Sequence, residues 1–248
     1  MINAYLTVAL SVVMGLSIFL SMPIVFHRKT GTRRIIFFNA IAIGILVFLL
    51  MDIFGDVAAL FSASVALNSL ELIFLAGFIL AFLFFIIPKD NRHPHKNPKR
   101  TSLIAALGIG FQNLTEGLVF GSAGAAGIAS IYLVSFIGFT LQNISEGFPI
   151  AAPLVGLKEK LSKRFVAGAF LLGGLPVILG TLIGLVFYSV VFITFFDALA
   201  SAAILYVILV LFHVNLHRST KGGADGALWL TYSGILLGFA IAFIVNYI

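Results

Sequence analysis

Gln112-Asn113-Leu114-Thr115-Glu116-Gly117 stands in the middle of an otherwise apolar run, 102–122, and Gln142-Asn143-Ile144-Ser145-Glu146-Gly147 in the middle of another, 128–154. A hydrocarbon core about 30 Å thick takes about 20 apolar residues to cross as a helix, so both runs have the length of a transmembrane span. Working outward, six further stretches qualify: 3–26, 35–54, 68–87, 165–188, 197–216 and 227–247. The expected fold is all-α, an integral membrane protein of eight transmembrane helices in which residues 1–248 form one transmembrane domain. The boundary between the sixth and seventh spans is the least distinct, because 185–212 is apolar almost throughout. Asp197 and the small residues after it place the break near 190–196.

Composition agrees. The 248 residues are 61% hydrophobic and 10% charged, with a mean hydropathy of +1.16. Soluble domains run about 45–50% apolar and about 25% charged, so a soluble enzyme is excluded. Cysteine is absent, which removes disulfides, thiolate metal sites and cysteine nucleophiles. No H-E-x-x-H or G-x-S-x-G motif is present, and no intramembrane enzyme is expected. The first span is not a signal peptide: it lacks a basic leading region, and Arg28 and Lys29 flank its far side.

The basic residues set the orientation. Arg28, Lys29, Arg33 and Arg34 lie between spans one and two, and Lys89, Arg92, Lys96, Lys99 and Arg100 between three and four. Lys158, Lys160, Lys163 and Arg164 lie between five and six, and Arg218 and Lys221 between seven and eight. Together these are all 15 Lys and Arg of the chain. Short loops rich in Lys and Arg face the cytoplasm, so both termini are expected outside. The longest polar stretch, 88–100, is then a cytoplasmic basic loop. The pI near 9.7 is explained by loops facing anionic inner-leaflet lipid, with no need of nucleic acid as a partner.

Ionisable side chains in the hydrocarbon are costly and mark functional sites. The pattern Q-N-[LI]-[ST]-E-G recurs 30 residues apart in consecutive, antiparallel spans. Within each word Gln and Glu are four apart and share a helix face, with Asn one residue round. At 1.5 Å per residue, Glu116 should lie about 6 Å outward of the glutamines and Glu146 about 6 Å inward, a ladder of oxygen ligands about 12 Å long. Pro149 and Pro153 follow the second word and free the carbonyls of Ser145 and Pro149, as in the broken helices from which transporters build ion sites.

Other polar residues fall near the ends of spans. Asp52 and Asp56, again four apart, close the second span on its outer side; Glu71 opens the third and Asp197 the seventh. Carboxylates gathered at an outer mouth would attract cations. His93 and His95 form H-P-H in the basic loop, a weak metal signal; His213 and His217 share a face at the inner end of span seven, and His27 flanks span one. Gly117/Gly121, Gly180/Gly184 and Gly234/Gly238 have the spacing of close helix packing, and Gly173-Gly174 stands beside Pro176.

On these features the chain resembles the ZIP family of divalent-metal transporters over nearly its whole length. Family words look like H-N-x-x-[DE]-G and H-N-x-P-E-G; here Gln112 and Gln142 stand at the histidine positions and Ser145 at the proline. The usual H-x-x-P-E ending of span two appears as Asp52-Ile53-Phe54-Gly55-Asp56, and Ala202-Ala203-Ile204-Leu205-Tyr206-Val207 is similar to the family's seventh span. Leu175, Val210 and Leu211 stand where acidic residues are usual. The resemblance implies Asn113, Glu116, Asn143 and Glu146 as metal ligands, with Gln112 and Gln142 in the histidine positions; Asp52 and Asp56, as carboxylates at the outer mouth, are expected to collect the ion.

The expectation is transport of a divalent cation into the cytoplasm by alternating access, with zinc the family default. Amide and carboxylate oxygens in place of imidazole suit harder ions such as Mn²⁺ or Mg²⁺ better than zinc, and Fe²⁺ stays open. The metal is cargo and no resident cofactor is expected. Membrane lipid is a partner and a homodimer is allowed; the short loops lean toward a prokaryotic plasma membrane. A channel or carrier for a monovalent cation or proton, and a homologue that senses metal without moving it, are the other classes left open.

Overall fold

The computed structural model describes residues 4–26, 31–62, 67–87, 97–127, 129–157, 161–221 and 225–246. Among these residues eight α-helices follow one another: α1 (Ala4–Ser17), α2 (Thr32–Ser62), α3 (Leu67–Ile86), α4 (Pro98–Ala126), α5 (Ala129–Ala151), α6 (Lys163–Gly184), α7 (Val190–Lys221) and α8 (Asp225–Asn246). A 3₁₀ stretch, Ile18–Phe26, continues α1, and a short one, Ala152–Leu154, continues α5. No strand occurs among the described residues.

Among the described residues, seven helical segments are long and apolar enough to cross a membrane. The exception is α5, which has the length at 23 residues. Its polar word, Gln142 to Glu146, lowers its apolar average.

Local chemistry sets the helix ends. Asn97 caps α4 by accepting from the Arg100 N–H at 3.1 Å, Pro98 takes the first helical position, and Gly127 closes the helix in the left-handed region at φ 72°. Pro149 and Pro153 cannot donate main-chain hydrogen bonds, and between them α5 tightens into its 3₁₀ turn.

Glycines set the packing. In lipid no hydrophobic force drives helices together, so close backbone approach and dispersion carry association. Gly117 and Gly121 of α4 lie against the carbonyls of Val177 and Thr181 of α6, while Gly180 and Gly184 of α6 lie against those of Leu114 and Leu118. The two GxxxG stripes therefore interlock, with α4 and α6 parallel. Gly44 of α2 meets the Ile235 carbonyl of α8, and Gly238 meets that of Ile41, making a second parallel pair. Gly15 and Gly174 meet back to back where α1 crosses α6.

Odd and even helices run in opposite directions through these contacts. All the described basic residues, from Arg33 and Arg34 to Arg218, lie at the end where α2, α4 and α6 begin and α7 finishes. We call this the basic end and its opposite the acidic end. The centre belongs to α4, with 72% of its apolar window buried, and the periphery to α3, with 6%.

Three boundaries differ from the sequence reading. The break between the sixth and seventh spans falls at 185–189, so α7 begins at Val190. Asp197 is consequently two turns inside α7 instead of at its start. Likewise α2 continues to Ser62, so Asp52 and Asp56 lie within the helix and do not close it. The first span is α-helical only to Ser17, and Pro23 stands in the 3₁₀ stretch beyond.

Candidate cation site

The two six-residue words meet at the centre of the molecule. Gln112, Asn113, Glu116, Gln142, Asn143 and Glu146 are each between 0 and 8% exposed. Asn113 donates through Nδ2 to Asn143 Oδ1 at 2.7 Å and to the Gly173 carbonyl at 2.9 Å. One amide thereby ties α4 to both α5 and α6. Asn143 in turn donates to the Phe139 carbonyl at 3.1 Å.

The glutamines depart from the expected arrangement. The one-face argument has each Gln accompany the Glu of its own helix. Gln112 does so, donating to Glu116 Oε1 at 2.9 Å, but Gln142 crosses from α5 to the same oxygen at 2.8 Å. Glu116 thus receives both amides on Oε1, while its buried Oε2 has no hydrogen-bond partner.

Glu146 is fully buried and neither of its carboxylate oxygens has a hydrogen-bond partner. The amides of Gln142 and Asn113 lie close enough to act on it electrostatically, and Glu116 lies within reach of its charge. A buried carboxylate that no donor meets at full hydrogen-bond geometry is costly, and a proton or a cation would satisfy it.

A cavity of about 440 Å³ leads from the acidic end to this centre. Asp52, Asp56, Asp197, Thr115, Glu116 and Gln142 line it, with Tyr188 and Asn246 near its rim. Asn246 donates to Asp52 Oδ1 at 3.1 Å. Asp52 is half-buried and Asp56 exposed. On the basic-end side of Asn113 and Asn143, the side chains of Ile18, Ile109 and Ile150 converge on Gly173. A second cavity, about 260 Å³, opens beyond them toward the basic end, lined by Asn39, Thr101, Pro153 and Arg218 among others.

Sequence reasoning placed Asp197 at the mouth, yet it is 4% exposed and accepts from Thr115 Oγ1 at 2.9 Å. The signal was the lone carboxylate in an apolar run, taken as a boundary when it marked depth. Asn39 and Asn215 were missed altogether. Buried at the basic end, they join α2 to α7 through a 3.3 Å amide bond and a 2.9 Å bond from Asn215 to the Ile36 carbonyl.

Glu71, His213 and His217 are exposed side chains outside both cavity linings. His27, His93 and His95 lie outside the described residues, as does most of the 88–100 loop. Among the described residues no three His or acidic side chains gather closely enough to hold a metal by themselves. Any cation at the centre would rest on two carboxylates completed by amide oxygens. No protein-family model and no curated protein matches this chain.

Proposed function

We propose that the protein carries a divalent metal cation across a membrane, in the manner implied by its resemblance to the ZIP family. In this reading the chain crosses eight times, the basic end faces the cytoplasm and both termini lie outside.

The observation that carries the proposal is Glu146, a fully buried carboxylate with no hydrogen-bond partner, set one turn inward of the Asn113–Asn143 bond. Two carboxylates, Glu116 and Glu146, match the charge of one divalent ion. The surrounding oxygens of Gln112, Asn113 and Asn143 are hard donors, which favours Mn²⁺ or Fe²⁺ over an ion that prefers imidazole.

The order of events follows the geometry. Asp52 and Asp56 draw the ion into the outer cavity. Glu116, which lines that cavity, turns its unpartnered Oε2 to the ion. Glu146 receives it next, which requires Gln142 to give up its bond to Glu116. Release follows when the contact among Ile18, Ile109 and Ile150 opens toward the inner cavity, so the two cavities are never joined at once.

The test is uptake of Zn²⁺, Mn²⁺, Fe²⁺ and Cd²⁺ into liposomes holding the purified protein. Saturable uptake with competition among these ions is expected. A flux carried by monovalent ions and indifferent to divalent metals would overturn the reading.

A further inference from the structure

We propose that the cavity at the basic end binds a phosphate group, held between Arg218 and Asn39. Three helix faces form this cavity of about 260 Å³: Ile35 and Asn39 on α2, Pro98 and Thr101 on α4, and Val214 and Arg218 on α7. The members of each pair are three or four residues apart, so each pair lies on one face of its helix. Among the described residues that line the cavity, Arg218 is the only charged one.

Arg218 brings to this space a positive charge that no described residue answers. Its side chain is half-buried, and Nη1 is enclosed without a hydrogen-bond partner. A cation in the last turn of a helix is favoured by the helix dipole. That accounts for the place of Arg218 on α7 but not for an enclosed guanidinium nitrogen that bonds to nothing. The basic side chains in the first turn of α4 are engaged elsewhere. Arg100 donates to the Phe85 carbonyl at 3.2 Å, and the Lys99 ammonium sits 6.0 Å from the centre of the Phe165 ring.

A second polar group narrows the chemistry of the ligand. Asn39 is 2% exposed, and its Oδ1 is also buried without a partner. Its Nδ2 donates to Asn215 Oδ1 at 3.3 Å. Asn215 precedes Arg218 by three residues, a rise of about 4.5 Å along α7, so Asn39 and Arg218 stand within one turn of each other on the wall of one cavity. Arg218 needs an acceptor, and Asn39 Oδ1 needs a donor. An ionised carboxylate offers acceptors alone. A phosphate that keeps one proton offers both: oxygens for the guanidinium fork and a P–OH for the amide oxygen. Free phosphate has this chemistry, and so does the headgroup of a lipid phosphate monoester.

Pro98 begins α4 and Arg218 stands in the last turn of α7, so the ligand enters from the basic end. In the carrier reading the departing divalent ion passes this cavity and meets the charge of Arg218. Phosphate bound there offsets that charge and speeds release. This coupling rests on the carrier reading above; occupancy of the site does not.

The experiment is binding of radiolabelled inorganic phosphate to the purified full-length protein in detergent, at fixed ionic strength and without divalent metal. Saturable binding is expected, weakened at least about tenfold in Arg218→Gln, a loss of about 1.4 kcal/mol. Arg164→Gln removes the same charge from an exposed side chain at the same end and should bind as wild type does. Arg218→Gln should fold normally and lose the phosphate-dependent rise in melting temperature that wild type shows. Competition with short-chain phosphatidic acid, against phosphatidylcholine as control, separates the two sources. Displacement at lower concentration by phosphatidic acid than by unlabelled phosphate upholds the site with a lipid headgroup as its occupant, and the reverse order upholds it with free phosphate.

Absence of saturable binding, binding unchanged in Arg218→Gln, or an equal loss in Arg218→Gln and Arg164→Gln would overturn the site. Phosphate binding without any divalent flux would uphold the site and remove the carrier reading. Divalent flux in a protein that binds no phosphate would do the reverse.

Discussion

Asn113 on α4 donates its side-chain amide to Asn143 on α5 at 2.7 Å, joining the same position of two words 30 residues apart. Because the two helices are antiparallel, this bond sets the level at which Glu116 stands toward the acidic end and Glu146 toward the basic end.

Removing that bond should cost both fold and function. Asn113→Ala loses two hydrogen bonds and leaves the Gly173 carbonyl and the Asn143 oxygen unpaired in a buried place. The expected destabilisation is about 1–3 kcal/mol per group left unsatisfied, seen as a lower melting temperature in detergent, together with loss of uptake. An unchanged melting temperature would show that the bond does not hold α4 to α5.

The interlocked glycines give a paired prediction. Gly180→Ala would drive a Cβ into the Leu114 carbonyl, a main-chain atom that cannot move aside. Gly168 of α6 has nothing within 4 Å of the same position. Gly168→Ala should therefore be neutral or stabilise by up to about 1 kcal/mol, while Gly180→Ala loses folded protein on size exclusion. Equal behaviour would contradict the close α4–α6 contact.

Gln142 offers a test of ion choice. Replacing it with His keeps a donor for Glu116 Oε1 and adds an imidazole nitrogen, a better zinc ligand than an amide. Gln142→His should shift competition among transported ions toward Zn²⁺ over Mn²⁺. An unaltered ranking would mean that this position does not touch the ion.

The mouth carboxylates act at a distance. Asp56 is exposed, and Asp52→Asn with Asp56→Asn should slow uptake at low ionic strength while leaving the protein folded. The difference from wild type should shrink as salt rises, because the Debye length falls from about 30 Å at 0.01 M to about 10 Å at 0.1 M. A deficit insensitive to salt would make these residues direct ligands.

The words were legible because lipid makes a Glu expensive, and period-3.6 spacing put each on one helix face. That argument treats helices singly, so it did not foresee Gln142 choosing the Glu of the other helix. Hydropathy reports whether a segment is apolar and not how deep a residue lies, which is why Asp197 was taken for a helix start. The continuation of α2 to Ser62 was hidden for the same reason, since Asp52 and Asp56 look like a polar boundary. The convergence of Ile18, Ile109 and Ile150 on Gly173 depends on contacts between separate elements, and no local pattern announces it.

The central claim is that the unpartnered carboxylate of Glu146 is there to hold a passing divalent ion. Glu146→Gln keeps its size and removes its charge, and since no hydrogen bond of full geometry ends on the carboxylate, the variant should fold as wild type does. Measured side by side in liposomes, wild type should show saturable Mn²⁺ or Zn²⁺ uptake and Glu146→Gln none. Undiminished uptake in the folded variant would contradict the account.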